Sequence, residues 1–469
     1  MNFLKSRAFR AIASVGLAVL FFVLCPPCFS KLHLGLVLGA VVLIINLNTF
    51  VGRINILTQL TRIAVGGLFI FSGFIKANDP VGFSYKLQEY FEVFGQGFSC
   101  EMKVAGEAAK GIPCQPASQE ATVAAPPAES SWKPFWHFFS ENSLFLAITL
   151  CAAEIVLGIF LLIGVQVRWT LWLLLAMIVF FSFLTFYSAC CNKVTSCGCF
   201  GDAIKLTPWE SFWKDLILLI LITVLMVGEK NIKPIFKSSI ALAGTAAIGT
   251  FLSFWFPVYT WQHLPVIDFR PYAIGTNYHE ASQNKIPAET GCQPDSVKMT
   301  FYYKHLKTNE IKGFGIKELP EDTLWEWYCR YDEVLRKGNC AATIMDFNIS
   351  EPESGMALND SLLQVPGTAY FLVMYDLSKT DRKIMGQVNA FYQECLAKGI
   401  PFNGLSAAGP EQIQSFRAET GAAFPIYYVD GTALKTVIRS NPGLVQLKKG
   451  VAAGMWHYND FPKFKELTH

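Results

Sequence analysis

Six cysteines in this sequence have spacings that could do chemistry. Cys190 and Cys191 stand side by side in ACCN, and Cys197 and Cys199 follow in SCGCFGD, so four thiols fall within ten residues. Thiol–disulfide exchange needs a thiolate that attacks a disulfide sulfur, which asks for paired, accessible cysteines with a lowered pKa. A disulfide between Cys197 and Cys199 would close a very small ring, and Gly198 is the residue best able to permit that turn. A strained bond of that kind is easily reduced. The same four thiols also fit ordinary structural disulfides joining Cys190 or Cys191 to Cys197 or Cys199, and both readings stand. A four-thiolate zinc site fits poorly, because adjacent Cys190 and Cys191 are awkward ligands for one tetrahedral ion. Cys25 and Cys28, in CPPC, have the Cys-x-x-Cys spacing of oxidoreductase centres and form a secondary redox candidate. A simple turn between two hydrophobic stretches is the alternative there.

The elements that must position these thiols are apolar. Of 469 residues, 52% are hydrophobic and 16% charged, with a mean hydropathy of +0.34. Ordinary soluble domains carry about a quarter charged residues, so much of this chain is expected in lipid. Seven stretches approach the roughly 17–25 residues that a membrane span needs: 9–25, 32–51, 57–75, 144–164, 169–188, 212–228 and 236–257. The first also reads as a signal peptide, with a basic start and an apolar core. Basic residues set the orientation: Lys5, Arg7 and Arg10, then Arg53, Arg168, and Lys230, Lys233 and Lys237. A cytoplasmic N-terminus places all of them inside, as the positive-inside rule asks. The segment 76–143 and everything after about 258 then lie outside, in a multi-pass inner (cytoplasmic) membrane protein with an extracytoplasmic C-terminal region.

That topology sorts the cysteines. Twelve of the thirteen fall on the outer side and only Cys151 lies within a span. This is the distribution expected where disulfides form and persist. The net charge of +3 and the lack of a basic tract argue against nucleic acid. No glycine-rich phosphate loop or Gly-x-Ser-x-Gly elbow is present, which disfavours nucleotide and hydrolase chemistry.

The cysteine loop runs straight into a helix start. In LTPWESFWKD, Thr207 can serve as N-cap, Pro208 suits the first helical position, and Glu210 completes a capping box. The loop thus stays near the membrane surface. Charges within spans are costly and often functional. Arg62, Lys76, Glu154, Lys214 and Asp215 are such charges here, and they either pair internally or line a polar pocket or proton path.

Three separated stretches carry a resemblance: RIAVGGLFIFSGFIKANDPVGFSYKLQEY, the intramembrane AEIVLG, and CGCFGDAIKLTPWESFWKDLILL. In this order they resemble the DoxX/MauE family over about 57–230. The resemblance implies a four-helix membrane bundle tied to electron transfer, often near quinones, and to disulfide formation in exported proteins. It nominates Arg62, Lys76 and Glu154 for a cofactor pocket, with Lys214 as a further cofactor-binding candidate, and Cys197 and Cys199 for redox. The two N-terminal hydrophobic segments within 1–56 and the long outer loop within 76–143 depart from the family pattern. QPASQEATVAAPPAES in that loop reads as a flexible linker, and Cys100 and Cys114 are expected to pair.

After a last span within 231–263, residues 264–345 read as a small mixed α/β segment with EDTLWEWYCRYDEVLRKG as a helix. Cys329 and Cys340 are expected to bridge, leaving Cys292 and Cys395 without an evident partner. From 346 to 469 strands and helices alternate: MDFNIS, AYFLVMYDL, IPFNGLSA and FPIYYVDG as strands, RKIMGQVNAFYQECLAKG and PEQIQSFRAETG as helices, and GLVQLKKGVAAGMWH as a terminal hairpin. This order is similar to the thioredoxin-like fold, with Asn441-Pro442 at the place of its cis-proline. That family's Cys-x-x-Cys would follow the strand ending at Tyr375, where this chain reads YDLSKTDRKIMG without a cysteine.

The fold expected is therefore an α-helical membrane bundle of about seven spans with a four-helix DoxX/MauE-like core, joined to an extracytoplasmic α/β thioredoxin-like domain. The function expected is thiol–disulfide electron transfer in the cell envelope, in exchange with quinone, with the outer domain binding a protein partner. The alternative is a non-enzymatic assembly or tethering protein whose disulfides are structural. Transport through the bundle is a weaker third reading, because the intramembrane charges are few.

Overall fold

A computed structural model describes residues 54–96, 132–191, 194, 200–204, 206–283, 291–293, 296–315, 318–320, 322, 324–336, 338, 340, 342–344 and 347–467. The two N-terminal hydrophobic segments, Cys25 and Cys28, the Cys100–Cys114 stretch, the expected linker, and Cys197 and Cys199 lie outside these residues. The chain divides into two compact units, one of residues 1–93 with 136–257 and one of 94–135 with 258–469.

In the first unit, α1 runs Ile54–Asn78, α2 Pro80–Gly95, α3 Lys133–Glu141, α4 Ser143–Ile163, α5 Val167–Cys191, α6 Pro208–Val227 and α7 Ser239–Gln262. Four described helices are long and apolar enough to cross a membrane: Leu57–Asn78, Ser143–Ile163, Val167–Cys191 and Ser239–Gln262. The sixth expected span forms the helix α6, but Glu210, Lys214 and Asp215 crowd its first two turns and keep it outside that group. The four helices α1, α4, α5 and α6 share one apolar core built around Val65, Phe69, Leu161, Leu174, Ile178 and Ile222. By contrast, α7 turns Ile240, Ile248, Phe251 and Trp255 outward, as a helix solvated by lipid tails would.

Local sequence explains the turns. Gly164 sits in the left-handed region at φ 80° and closes α4, its N–H donating to the Phe160 carbonyl. At the start of α6 the expected capping box forms, the Thr207 hydroxyl accepting from the Glu210 N–H and the Glu210 carboxylate accepting from the Thr207 N–H. Between α1 and α4, helices α2 and α3 pack on each other, Phe91 stacking against Trp136 at 6.0 Å.

The second unit holds two sheets. In the smaller, β1 (Ser296–His305) lies between β2 (Ile311–Phe314) and β3 (Trp325–Arg336), all antiparallel. The expected helix over 321–338 is therefore wrong. Trp325, Trp327, Tyr331 and Val334 are β-formers, and they pair across to β1 at positions such as Tyr303↔Trp327 and Thr300↔Tyr331. The expected Cys329–Cys340 bridge is overturned too: Cys340 bonds to Cys292. Cys329 lies in β3 opposite Tyr302 and is itself disulfide-bonded.

The larger sheet has the order β6-β5-β4-β7-β8. Its strands are β4 (Thr368–Met374), β5 (Phe402–Ser406), β6 (Ile426–Tyr428), β7 (Gly443–Lys448) and β8 (Val451–His457). The first three are parallel and the β7–β8 hairpin is antiparallel. The short helices α8 (Tyr278–Ser282) and α9 (Asn359–Leu363) precede it, and α10 (Met385–Ala397), α11 (Pro410–Thr420) and α12 (Gly431–Val437) connect its strands. Because β4 is buried on both faces, its alternate residues feed two cores: Phe371 and Val373 join Leu434 and Val445, whereas Tyr370 and Leu372 join Phe391 and Phe424. Cys395 is buried in the second core, where desolvation pushes its thiol up to about 12. The expected strand MDFNIS contributes Phe347 and Ile349 to the first core, and among its described residues it pairs at Ser350, with Ala357 and Tyr428.

His457 ends β8 and is buried, its Nδ1 accepting from the Asn459 N–H at 3.2 Å. Desolvation pushes its pKa down to about 4, against an opposing pull from Asp460. A histidine depressed in the folded state is protonated more readily when unfolded, so its contribution is complete above about pH 6.5 and declines as pH falls toward 4. Stability of the second unit is expected to drop by about 2 kcal/mol across that window. Urea titrations at pH 7 and pH 4.5 should show the drop, and His457→Gln should remove it.

Candidate functional site

The site begins with glycines. Gly66, Gly73 and Lys76 are spaced by seven and three residues, which puts them on one face of α1. A Cβ on Gly73 would lie 2.9 Å from Glu154 Cβ and 3.0 Å from the Cys151 carbonyl oxygen. One on Gly158 would lie 2.8 Å from the Gly66 carbonyl oxygen. The backbones of α1 and α4 can approach this closely only because these side chains are missing, the usual solution for helices packed in lipid.

That approach joins Lys76 to Glu154. The ammonium and the Glu154 Oε1 form a buried ion pair, with side chains 3% and 2% exposed. The Lys76 Nζ also lies 4.4 Å from the Phe181 ring centroid and 5.4 Å from that of Phe83. Glu154 Oε2 is buried with no hydrogen-bond partner among the described residues, as is the Ser182 hydroxyl beside Phe181. Cys151, one turn from Glu154 on the same helix, is fully buried and in no disulfide.

A second charged cluster joins α5 to α6. Lys214 Nζ is 2.7 Å from Asp215 Oδ1, and Asp215 is 1% exposed. The Thr185 hydroxyl donates to Asp215 Oδ2 at 3.1 Å. One described end of the cysteine loop lies against Lys214 and beside the α1 turn that carries Lys76. Phe200 packs on Ile75, the neighbour of Lys76, and its ring centroid is 5.0 Å from Lys214 Nζ and 5.9 Å from the Phe71 ring. At the other end the Ser188 hydroxyl donates to the Val194 carbonyl at 2.5 Å. Cys191 is buried and disulfide-bonded, and Cys190 is half-buried.

Arg62 is not brought to this place. Its Nε donates to the Leu161 carbonyl at 2.8 Å and its Nη2 to that of Leu162 at 2.7 Å. Fourteen residues separate it from Lys76, about 21 Å of helix. Arg62 thus satisfies carbonyls that α4 leaves open at its C-terminus. The structure brings together Lys76 and Glu154, and Lys214 with Asp215, around Phe200. Gly73, Gly158 and Thr185 complete the arrangement. The glycine spacing was visible in the sequence, but Thr185 carried no signal there. Among the described residues no group of three or more His, Cys, Asp or Glu could hold a metal ion.

Helices α4, α5 and α6, the buried carboxylate and the capped cysteine loop fall in one stretch that has known counterparts. Residues 134–228 match the family model of methylamine utilisation protein MauE. Within the bundle, α4, α5 and α6 are thus similar to MauE. No curated protein and no solved structure matches the chain. The match starts inside α3, so α1, which supplies Gly73 and Lys76, lies outside it. Four helices able to span and a MauE-like domain make this an integral membrane protein.

In the second unit, the segment after β4 is held entirely by its own chain. The Asn441–Pro442 peptide is cis, as its position in the sequence suggested. Asn441 Nδ2 donates to the Asp376 carbonyl at 2.8 Å, and the Thr380 hydroxyl donates to Asn441 Oδ1 at 3.2 Å. Arg382 Nη1 donates to the carbonyls of Leu377 and Thr380 at 2.6 and 2.7 Å, while its Nε and Nη2 engage Glu419. Burial works to raise the Asp376 carboxyl, but the Ser378 hydroxyl at 2.6 Å and amide at 3.0 Å outweigh it and hold that group below the usual range. No thiol stands in this segment.

Proposed function

We propose that the MauE-like bundle supports thiol–disulfide electron transfer in the cell envelope, with Cys197 and Cys199 as the exchanging pair and Cys190 and Cys191 beside them. The observation that carries this reading is the seating of the cysteine loop: Phe200, next to Cys199, packs between Lys214 and the α1 turn that bears Lys76. Exchange between that dithiol and a quinone would move two electrons and two protons, leaving a disulfide and a quinol, or the reverse. The residues fit such a group, since among the described residues Glu154 Oε2 is a buried acceptor without a donor and a quinol hydroxyl could supply one. Lys76 would orient Glu154 and offset its charge, and Lys214 with Asp215 would keep the outer end of the bundle polar. Cys25 and Cys28 would serve as a second pair on the same surface.

The membrane is read as the inner (cytoplasmic) membrane, with the sheets of the second unit on the extracytoplasmic side. That unit is read as thioredoxin-like, on the parallel strands β4 and β5 beside an antiparallel β7–β8 hairpin entered through a cis-proline. Lacking a thiol after β4, it would bind a protein partner rather than exchange electrons.

One observation favours a second reading, a tethering protein with structural disulfides. Cys191, Cys292, Cys329 and Cys340 are all disulfide-bonded. Trapping separates the two. Cys199→Ser should leave Cys197 in a reducible mixed disulfide with an envelope protein after acid quench. If nothing is captured, and the thiol state of the unaltered protein stays constant when the quinone pool is reduced, the redox reading fails and the tether remains.

A further inference from the structure

The bundle also carries a feature that neither the thiols nor the ion pairs use. Between α4 and α5, with Phe254 of α7 against it, lies a cleft of about 520 Å³. Leu150, Ala153, Phe160, Leu173 and Met177 line it, and nearly all of its surface is hydrocarbon. All three helices are long and apolar enough to cross a membrane, so the medium available to fill the cleft is lipid. Its α4 side runs from Leu150 to Phe160, ten residues or about 15 Å of helix. That length equals the hydrocarbon depth of one leaflet, half of a core about 30 Å thick.

One end of the cleft lies at the α4–α5 turn, where Gln166 holds a left-handed conformation at φ 40° and lines the opening. Exposed Arg168 and Trp169 follow directly. The segment 233–235 is stitched to the same turn: the Ile235 N–H donates to the Ile163 carbonyl at 3.0 Å, and a Cβ on Gly164 would meet the Lys233 carbonyl oxygen at 2.9 Å. Lys233 and Lys237 are both exposed. A leaflet-deep hydrocarbon slot therefore opens beside a basic cluster with an exposed tryptophan, the combination that recruits anionic headgroups between transmembrane helices.

We propose that this cleft is a binding site for one anionic phospholipid, an acyl chain lying between α4 and α5 and the phosphate held at Arg168 and Lys233. The site is independent of the redox reading, because it uses none of the cysteines and neither ion pair.

The full-length protein reconstituted in nanodiscs of mixed phosphatidylglycerol and phosphatidylcholine, then extracted into detergent, tests it by mass spectrometry of the retained lipid. The expected result is retained phosphatidylglycerol in excess of its share in the bilayer. Arg168→Gln and Lys233→Gln should each cut that preference roughly fivefold. Ala153→Phe, which fills the slot, should abolish retention; Ala176→Phe repeats the test from the α5 side should the first variant not fold. Equal retention of both lipids, undiminished retention in a folded slot-filled variant, or a prenylquinone in place of phospholipid would each overturn the assignment.

Discussion

Lys76→Met is expected to destabilise the bundle by about 3–5 kcal/mol, the usual cost of removing one partner from a buried ion pair. The cost comes from what stays behind. Glu154 is 2% exposed, its Oε2 has no donor among the described residues, and the loss of Lys76 strands a carboxylate among hydrocarbon. Lys76→Met together with Glu154→Leu should recover most of the loss, since a well-packed apolar pair of similar volume is often neutral or better than a buried salt bridge. A double-mutant cycle, read by denaturant titration in detergent, measures the coupling. The cycle also bears on function. If the pair serves only stability, the double variant should keep any thiol exchange that the trapping experiment detects; if it handles protons or a quinol, that variant should be stable and lack it. A coupling near zero would mean that the pair is not formed in the folded protein.

Gly73→Val is expected to have the second-largest effect, and it reaches the same pair through the backbone. The new side chain would start 2.9 Å from Glu154 Cβ, 2.8 Å from Ile155 Cγ1 and 3.0 Å from the Cys151 carbonyl. The carbonyl is part of α4 itself and cannot rotate away, so α1 must move outward. Overpacking of this kind costs roughly 1–3 kcal/mol. The displacement should also separate Lys76 from Glu154, three residues on along the same face, which raises the total further. The signature is non-additivity: in the Gly73→Val background, Lys76→Met should cost much less than it does alone. Full additivity would mean that α1 accommodates the valine without shifting. Gly67 on the neighbouring face meets nothing within 4 Å, so Gly67→Val is the control and should be nearly silent.

Much of the scaffold was legible because its signals are local. The apolar runs at 57–75, 144–164 and 169–188 became α1, α4 and α5 to within a few residues. The Thr207-Pro208-Glu210 cap formed as its chemistry requires. In the second unit, the alternation from 368 to 457 gave β4 to β8, α10 and α11 in the expected order, because buried strands and amphipathic helices differ in period, whereas α12 (Gly431–Val437) was not expected. The failures also have local causes. The stretch 325–336 mixes aromatic residues with charges at spacings compatible with either period, and only pairing with β1 makes it a strand. The partner of Cys340 depended on which chain segments meet, so it could not follow from proximity in sequence to Cys329.

What the sequence by itself determined is the kind of protein: a membrane chain with cysteines clustered beside its spans, charges placed inside them, and a mixed α/β unit that follows. Those conclusions rest on hydrophobicity, capping and composition, which each segment carries alone. Only the tertiary structure decided which charges belong together. Arg62 and Lys76 look alike as intramembrane cations on one helix. Yet Arg62 is spent on the open carbonyls of α4, and Lys76 meets Glu154. The difference arises because α1 and α4 cross at glycines, and the contact between two helices is a property of neither sequence segment taken separately.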